Sequence, residues 1–416
     1  MKQLRVLYLR NCRGITDVTG GETYLMSLIP SLADLGCEST LACIVDPHHG
    51  ETPWLKEAKR LCLPLVTIPV GSLFSCDDVF TTVRLIRERR ADIIHTLDHR
   101  SDLVGAIAAK ITGRPVVATF MGWTNFPAGS ARARLYPAVN RLAHKYCDAV
   151  ISDSGTMAAQ VNQGKGGPPV LVIHGGVDLT RFTTDVRADF RSKWFDDPHV
   201  KILGMAGRIH PVKGQLEFLQ AAATILGRHP QCRFVIVGEV PPRYEGYKQT
   251  LMRFIDEHGL QSRVVLTRAD KEQMPAVMAS FDILVAPSFT ESFSFTLIEG
   301  MAMEKAVVTT DVGGTHEMIA HGETGVLLQP GDVVGLTQAL LGLIDDPEKA
   351  SALGRRAKEH VRRELNVNVM ASRTLNVYKE VVAWREQRRN GATESTGLDE
   401  RLQRALILES GKNSDA

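Results

Sequence analysis

Pro287-Ser288-Phe289-Thr290-Glu291-Ser292-Phe293-Ser294-Phe295-Thr296-Leu297-Ile298-Glu299-Gly300-Met301-Ala302 follows the short apolar run Phe281-Asp282-Ile283-Leu284-Val285-Ala286. A brief, mostly apolar run predicts a buried parallel strand, and Thr290 to Ser294 predicts the turn that opens the helix behind it. That junction, at the carboxyl end of a strand, is where open α/β sheets bind their ligands. Unpaired amides and the positive end of a helix dipole attract a phosphate there. Glu291 just before the helix and Glu299 about two turns in can accept hydroxyl protons. Phosphate and sugar hydroxyls together describe a nucleotide sugar. Two glutamates at this spacing alone describe only a solvated face of an amphipathic helix, so the surrounding sequence decides between the readings.

A second motif supplies positive charge. Lys201-Ile202-Leu203-Gly204-Met205-Ala206 predicts a strand, and Gly207-Arg208-Ile209-His210-Pro211-Val212-Lys213-Gly214 follows it, ahead of a periodic helix over Leu216 to Ile225. Arg208 and Lys213 bracket the turn. A nucleoside diphosphate gains charge as its bond to the sugar breaks, so cations aimed at it stabilise the transition state more than the ground state.

Glu-x7-Glu after Pro-Ser, then Gly300-Met301-Ala302 and Ala306-Val307-Val308-Thr309-Thr310-Asp311-Val312-Gly313-Gly314, resembles the retaining GT-B glycosyltransferases of the large group-1 family, of the family-4-like, Glu-x7-Glu type. Arg208-x4-Lys213 is similar to that family's diphosphate clamp. The resemblance is strongest from about Lys201 to Leu365. It implies an α/β chain of GT-B architecture, with two Rossmann-like doubly wound parallel-sheet domains facing an interdomain cleft. It further implies that Glu291 contacts hydroxyls of the donor sugar, that Glu299 holds the ribose, and that the backbone of Ser294, Phe295 and Thr296 takes the distal phosphate. Glu291, Arg208 and Lys213 are then the catalytic set, with the leaving phosphate oxygen taking the proton of the acceptor hydroxyl. Metal and cofactors are not implied beyond the donor itself: the chain has no Asp-x-Asp motif, and two cationic side chains take that place.

Alternation of apolar strands with helical patterns occurs twice. The first set runs from Leu4–Leu9 through Glu38–Val45, Leu65–Ile68, Asp92–Thr96, Val116–Phe120 and Asp148–Ser152 to Val170–Ile173. The second starts at Lys201 and continues through Arg233–Gly238, Ser262–Leu266, Asp282–Ala286, Ala306–Thr309 and Gly325–Leu328. Charged Asp178 to Pro198 reads as the linker. Periodicity predicts helices over Asp332–Ile344, Glu348–Leu365 and Val367–Trp384. The expected organisation is an acceptor domain over residues 1–180, a donor domain over 181–365, a helix over 366–388 that crosses back to the first domain, and a polar, flexible tail over 389–416 with an isolated helix near Asp399–Leu408.

Two glycines, Gly20 and Gly21, follow the first strand and precede a periodic helix, where backbone passes close to a ligand or adopts positive φ. In the family such a loop closes over the donor diphosphate. His95, at the end of a predicted strand, and His99, just past it, are candidates for the acceptor cleft, although a lone histidine after a buried strand is more often satisfied by local backbone. Met121, in Thr119-Phe120-Met121-Gly122-Trp123, stands where many relatives carry a histidine, and it can neither accept a proton nor donate a hydrogen bond. Ser292 and Ser294 replace glycines common in the family, and serine can cap the helix that follows.

The chain has 416 residues, 44% of them hydrophobic, enough for two ordinary cores. A net charge of +2 and the lack of a basic arm argue against nucleic acid as a partner. Seven cysteines form no C-x-x-C pair and read as reduced thiols. Charges interrupt the first ten residues too early for a signal peptide, and no run of about eighteen apolar residues occurs, so the expected location is cytoplasmic. Arg84, Arg87, Arg89 and Arg90 beside Val83, Leu85 and Ile86, and Arg132, Arg134, Arg141 and Lys145 around Leu135 to Ala143, form basic amphipathic stretches of the kind that dock on anionic lipid, peripherally on the inner face of the membrane.

The expected activity is transfer of a glycosyl unit from a nucleotide diphosphate sugar to a hydroxyl of a glycan or lipid-linked acceptor, in polysaccharide, lipopolysaccharide or glycolipid synthesis. A nucleotide-sugar 2-epimerase of the same fold and a non-catalytic nucleotide-sugar-binding scaffold are the alternatives. A hydrolase needs two carboxylates facing across a sugar bond and leaves the cationic pair idle.

Overall fold

The computed structural model describes residues 3–13, 20–48, 50–70, 76–122, 131–161, 166–186, 190–197, 199–390 and 397–412. Thr19 and Trp123, and Gly391 to Thr396 in the tail, lie outside the described residues. The chain divides into two compact units, one of residues 1–176 with 367–416 and one of residues 177–366.

The first unit is built on a seven-stranded sheet of β1 (Arg5–Asn11), β2 (Glu38–Val45), β3 (Leu65–Pro69), β4 (Ile93–Thr96), β5 (Val116–Phe120), β6 (Ala149–Ser152) and β7 (Val170–Val172). Their order is β3-β2-β1-β4-β5-β6-β7, with parallel pairing throughout. Every residue of β4, β5 and β6 is buried, so these strands are covered on both faces, and that is why they read as apolar runs rather than alternating ones.

The second unit holds a six-stranded parallel sheet of β8 (Lys201–Ala206), β9 (Cys232–Val237), β10 (Val264–Thr267), β11 (Ile283–Ala286), β12 (Ala306–Thr310) and β13 (Val326–Leu328), in the order β10-β9-β8-β11-β12-β13. In each sheet the strand order reverses once, between β1 and β4 in the first and between β8 and β11 in the second. Those reversals are the topological switch points at which doubly wound sheets form ligand crevices.

Helix ends follow local chemistry. Asp98 caps the helix His99–Thr112 and shares a reciprocal capping box with Ser101. Asp332 caps Val333–Asp345 through the Gly335 amide at 2.8 Å, and Asp346 caps Pro347–Glu364 with proline at the first helical position.

Two expectations need correction. Asp178 to Pro198 is no free linker in its described parts: Phe182 is buried in the second core, and Phe190, Trp194 and Phe195 pack against it. Arg191 donates to the Ser280 carbonyl at 2.9 Å and pairs with Asp282 at 3.2 Å, so alternating charge here marks anchoring rather than solvation. The tail helix is likewise not isolated. It spans Leu398–Lys412 and packs on the helix Val367–Arg389, with Leu398 and Leu402 buried and Arg401 paired to Glu380 at 3.0 Å.

Candidate functional site

In the second unit the loops after β8 and β11, the two strands at the switch point, are joined. The Phe289 amide donates to the Val212 carbonyl at 2.7 Å, and Lys213 Nζ lies 2.6 Å from Glu291 Oε1. The two sequence motifs are therefore parts of one site. Pro211–Lys213 forms a single 3-10 turn, started by His210, whose Nδ1 accepts from the Val212 amide at 3.0 Å. Gly214 ends it at φ +76°, and a β-carbon there would stand 2.1 Å from the Pro287 carbonyl oxygen, so only glycine lets the loops meet.

Glu291 is held from three sides. Lys213 and the Ser288 hydroxyl, at 2.9 Å, both address Oε1, and Ser288 is itself placed by Thr310, which donates to its carbonyl. Oε2 makes no hydrogen bond among the described residues, which leaves it open to a hydroxyl. Gly313 packs so closely on the Glu291 backbone that a β-carbon would lie 1.6 Å from its carbonyl oxygen, and the Gly314 amide donates to Ser292 at 3.2 Å. Ser288 and Gly313 escaped sequence reasoning as site residues. Their signal was the Pro-Ser and Gly-Gly that flank the acidic loop.

Arg208 is exposed and pairs with no carboxylate among the described residues, while its carbonyl accepts from Gln215 at 2.8 Å. Positive charge concentrates around this turn. His210 is held below its ordinary range by burial first and then by Arg208, Arg243 and Lys213, so its imidazole is neutral. It packs against Tyr244 with ring centroids 4.1 Å apart.

The helix after Glu291 begins at Phe295, so Glu299 sits about one turn in, not two. Ser294 occupies the cap position with extended backbone, but its hydroxyl makes no cap hydrogen bond, contrary to the expected serine cap. The first-turn amides, those of Phe295 and Thr296 among them, have no intrahelical acceptors. Burial raises the Glu299 carboxyl from its ordinary 4.5 to about 7, against the opposing pull of the Lys271 and Arg181 cations. Glu299 makes no hydrogen bond with Glu291, Arg208 or Lys213. It lies further along the same loop-and-helix element, within the field of a separate pair of cations.

The first unit corrects part of the sequence reading. Gly20 and Gly21 are not loop glycines of positive φ: they open the helix Gly20–Asp34, and Arg10 lies against Gly21. That arginine pairs with fully buried Glu22 at 2.6 Å and donates to the Leu97 carbonyl at 2.8 Å. Burial opposes its charge, but Glu22 and Asp98 outweigh that and hold the guanidinium above its ordinary value. Asp98 also accepts from the Asn11 amide at 2.7 Å, which ties β1 to β4 at this sheet's switch point.

His95 does not face a cleft. It is fully buried in β4, with Nδ1 hydrogen-bonded to the Tyr378 hydroxyl and Nε2 2.6 Å from Thr119 Oγ1. Burial pushes it down to about 3, so it is a neutral core group with both nitrogens engaged. His99, at the start of its helix, and Met121, after β5, remain at carboxyl ends of strands and are half-buried. Burial holds His99 below its ordinary range despite Asp102 and Asp98.

The amphipathic stretch at Asp77–Glu88 buries the apolar residues Val83, Leu85 and Ile86 in the core, so they are not available to a lipid. Its exposed side chains are Asp77, Phe80, Arg84, Arg87 and Glu88, of which only Phe80, 68% accessible, is apolar. The side chains of Arg132 and Arg134 lie outside the described residues. Among the described residues no helix is long and apolar enough to cross a membrane.

Comparison with known proteins agrees with this geometry. The family model described as glycosyl transferases group 1 matches residues 186–360, and that described as glycosyltransferase family 4 matches residues 18–181. The chain is 28% identical over 294 residues to a lipopolysaccharide core biosynthesis mannosyltransferase, LpcC, of Rhizobium leguminosarum bv. viciae, covering 71% of this chain and 80% of the relative. It is 27% identical to a D-inositol 3-phosphate glycosyltransferase of Thermobispora bispora over 89% of this chain and 91% of that one. In fold it is similar to Anabaena HepE, solved in complex with UDP, with a TM-score of 0.76, 22% identity, and coverage of 90% of this chain and 100% of that one.

Proposed function

The chain belongs to the group 1, family 4-like glycosyltransferases and uses a nucleotide-sugar donor, and from that membership we propose a retaining, metal-independent transfer to a hydroxyl of a glycan or lipid-linked acceptor. One observation carries the assignment of roles: Lys213 and Glu291, from motifs 78 residues apart, meet at 2.6 Å at the switch point of the second sheet.

In this reading Arg208 and Lys213 face the diphosphate, and the amides of Ser294, Phe295 and Thr296 donate to its distal phosphate at the helix start. Glu291 Oε2 orients the sugar and Glu299 holds the ribose. The acceptor oxygen bonds to the anomeric carbon as the carbon–phosphate oxygen bond breaks, and the acceptor proton passes to the leaving phosphate oxygen on the same face. The protein positions the groups and stabilises developing charge. Residues 1–176 with the returning helix Val367–Arg389 would form the acceptor side, where His99 and Met121 remain candidates.

Contact with an anionic membrane would rest on the exposed arginines and Phe80, since Val83, Leu85 and Ile86 of Asp77–Glu88 are buried, and would weaken with salt. The deciding experiment offers the purified chain a panel of labelled nucleotide sugars with glycan and lipid-linked acceptors in the presence of a chelator. Label in the acceptor with the donor's anomeric configuration is expected. An inverted product, an isomerised donor, or dependence on added metal would overturn the corresponding part of the reading.

A further inference from the structure

The first unit contains a cavity of about 380 Å³ lined by Arg5, Arg87, Arg90 and Arg114, with Asp92 and Ile111 among the remaining walls. Arg5 starts β1, Asp92 immediately precedes β4, and Arg114 stands two residues before β5. The cavity is therefore at the amino ends of parallel strands. Gly20, His99 and Met121 follow the carboxyl ends of the same strands, so it is on the sheet edge opposite any donor or acceptor loop.

Its charge is unbalanced. Asp92 pairs with Arg5 at 3.4 Å and with Arg114 at 3.9 Å, whereas Arg87 and Arg90 make no ion pair among the described residues. The helices Asp77–Glu88 and His99–Thr112 both end here, and two helix ends together contribute about one negative charge. Adding Asp92 gives about two negative charges against four guanidiniums, which leaves about two positive charges. Arg90 moreover holds φ +50°, a left-handed position after a helix end where glycine is the default residue.

We propose that this cavity is a binding site for a phosphate dianion, carried by a soluble phosphorylated molecule or by a phospholipid headgroup, and separate from the nucleotide-sugar site. Four arginines lining one cavity match phosphate in charge, and a planar guanidinium matches it in donor geometry.

The test titrates pyrophosphate by calorimetry, at fixed ionic strength, into the full chain carrying Arg208→Ala and Lys213→Ala, which silences the proposed diphosphate clamp. Binding is expected to persist there and to weaken by about tenfold or more when Arg87→Ser and Arg90→Gly are added. Both side chains are exposed, and glycine relieves the left-handed backbone at residue 90, so the melting temperature should hold. Arg84→Ser, an exposed charge that does not line the cavity, should leave affinity unchanged. No binding to the clamp-deficient chain, equal binding after the cavity substitutions, or equal loss with Arg84→Ser would each overturn the site. Displacement of pyrophosphate by phosphatidic acid vesicles would identify a headgroup site, and displacement by glycerol 3-phosphate alone a soluble ligand; displacement by neither would count against the proposal.

Discussion

Lys213 Nζ and the Ser288 hydroxyl converge on one oxygen of Glu291, at 2.6 Å and 2.9 Å, so the lysine proposed to face the diphosphate also aims the carboxylate proposed to face the sugar. The pair is partly exposed, with 23% and 11% of the two side chains accessible, so screening limits its worth to stability and its weight lies in positioning.

Lys213→Ala should therefore reduce kcat by about 10²–10³-fold, the scale for losing one preorganised charge partner. Single-turnover rates and donor affinities measured side by side would separate the roles. A rise in donor Kd with kcat intact would make Lys213 a binding residue only. In a cycle with Glu291→Ala, the double variant should lose less than the sum of the single ones, with a coupling of about 0.5–3 kcal/mol.

The raised carboxyl of Glu299 has two consequences of opposite sign. The folded chain keeps this proton up to about 7, while the unfolded chain releases it near 4.5, so its contribution to stability is present below the lower value and is lost as pH rises to the upper one. In the proposed role the Glu299 carboxylate accepts from the ribose, so donor affinity should grow over that same rise. Glu299→Gln should flatten both profiles and weaken donor binding by about 1–3 kcal/mol. Denaturation and donor titrations between pH 5 and pH 8 would check this, and an unchanged slope in the variant would rule Glu299 out as the titrating group.

Gly313→Ala is expected to be severe for a side chain of one carbon. Its φ of +56° and the 1.6 Å approach to the Glu291 carbonyl mean that the acidic loop has to shift. A loss of about 2–4 kcal/mol is expected from overpacking and backbone strain together. Activity per folded molecule should fall as well, because the moved residue is Glu291. Full activity in the folded fraction would show that the loop tolerates displacement.

Tyr378→Phe tests the buried cluster of the first unit. Tyr378 bonds His95, and its hydroxyl lies 3.0 Å from that of Tyr8, so removing it leaves His95 Nδ1 without that partner at a cost of about 1–3 kcal/mol. His95 is held down to about 3, while the unfolded chain takes up a proton near 6.5, so native stability falls as pH drops across that interval. His95→Gln should leave the pH–rate profile near neutrality unshifted. A moved profile would return His95 to the catalytic candidates.

Sequence and structure differ for reasons visible residue by residue. Buried runs such as Ile283–Ala286 and Val116–Phe120 announced themselves because strands covered on both faces carry no polar alternation. The loops that carry Arg208, Lys213, Glu291 and Glu299 were legible because turn chemistry is a local property of the chain, whereas the roles expected of these residues came from the family resemblance. His95 was misplaced because a strand-end histidine looks the same whether it meets solvent or, as here, a tyrosine 283 residues away. Gly20 and Gly21 open a helix rather than a loop of positive φ, a boundary that lay further back than the sequence pattern indicated.

The chain's own order of residues settled two doubly wound sheets and the two motif loops, because hydrophobic period and turn residues act over a few positions. Which loops touch was decided only in three dimensions. Strand order put β8 beside β11, and with it Lys213 within 2.6 Å of Glu291, because pairing between distant strands depends on the whole sheet and not on either segment.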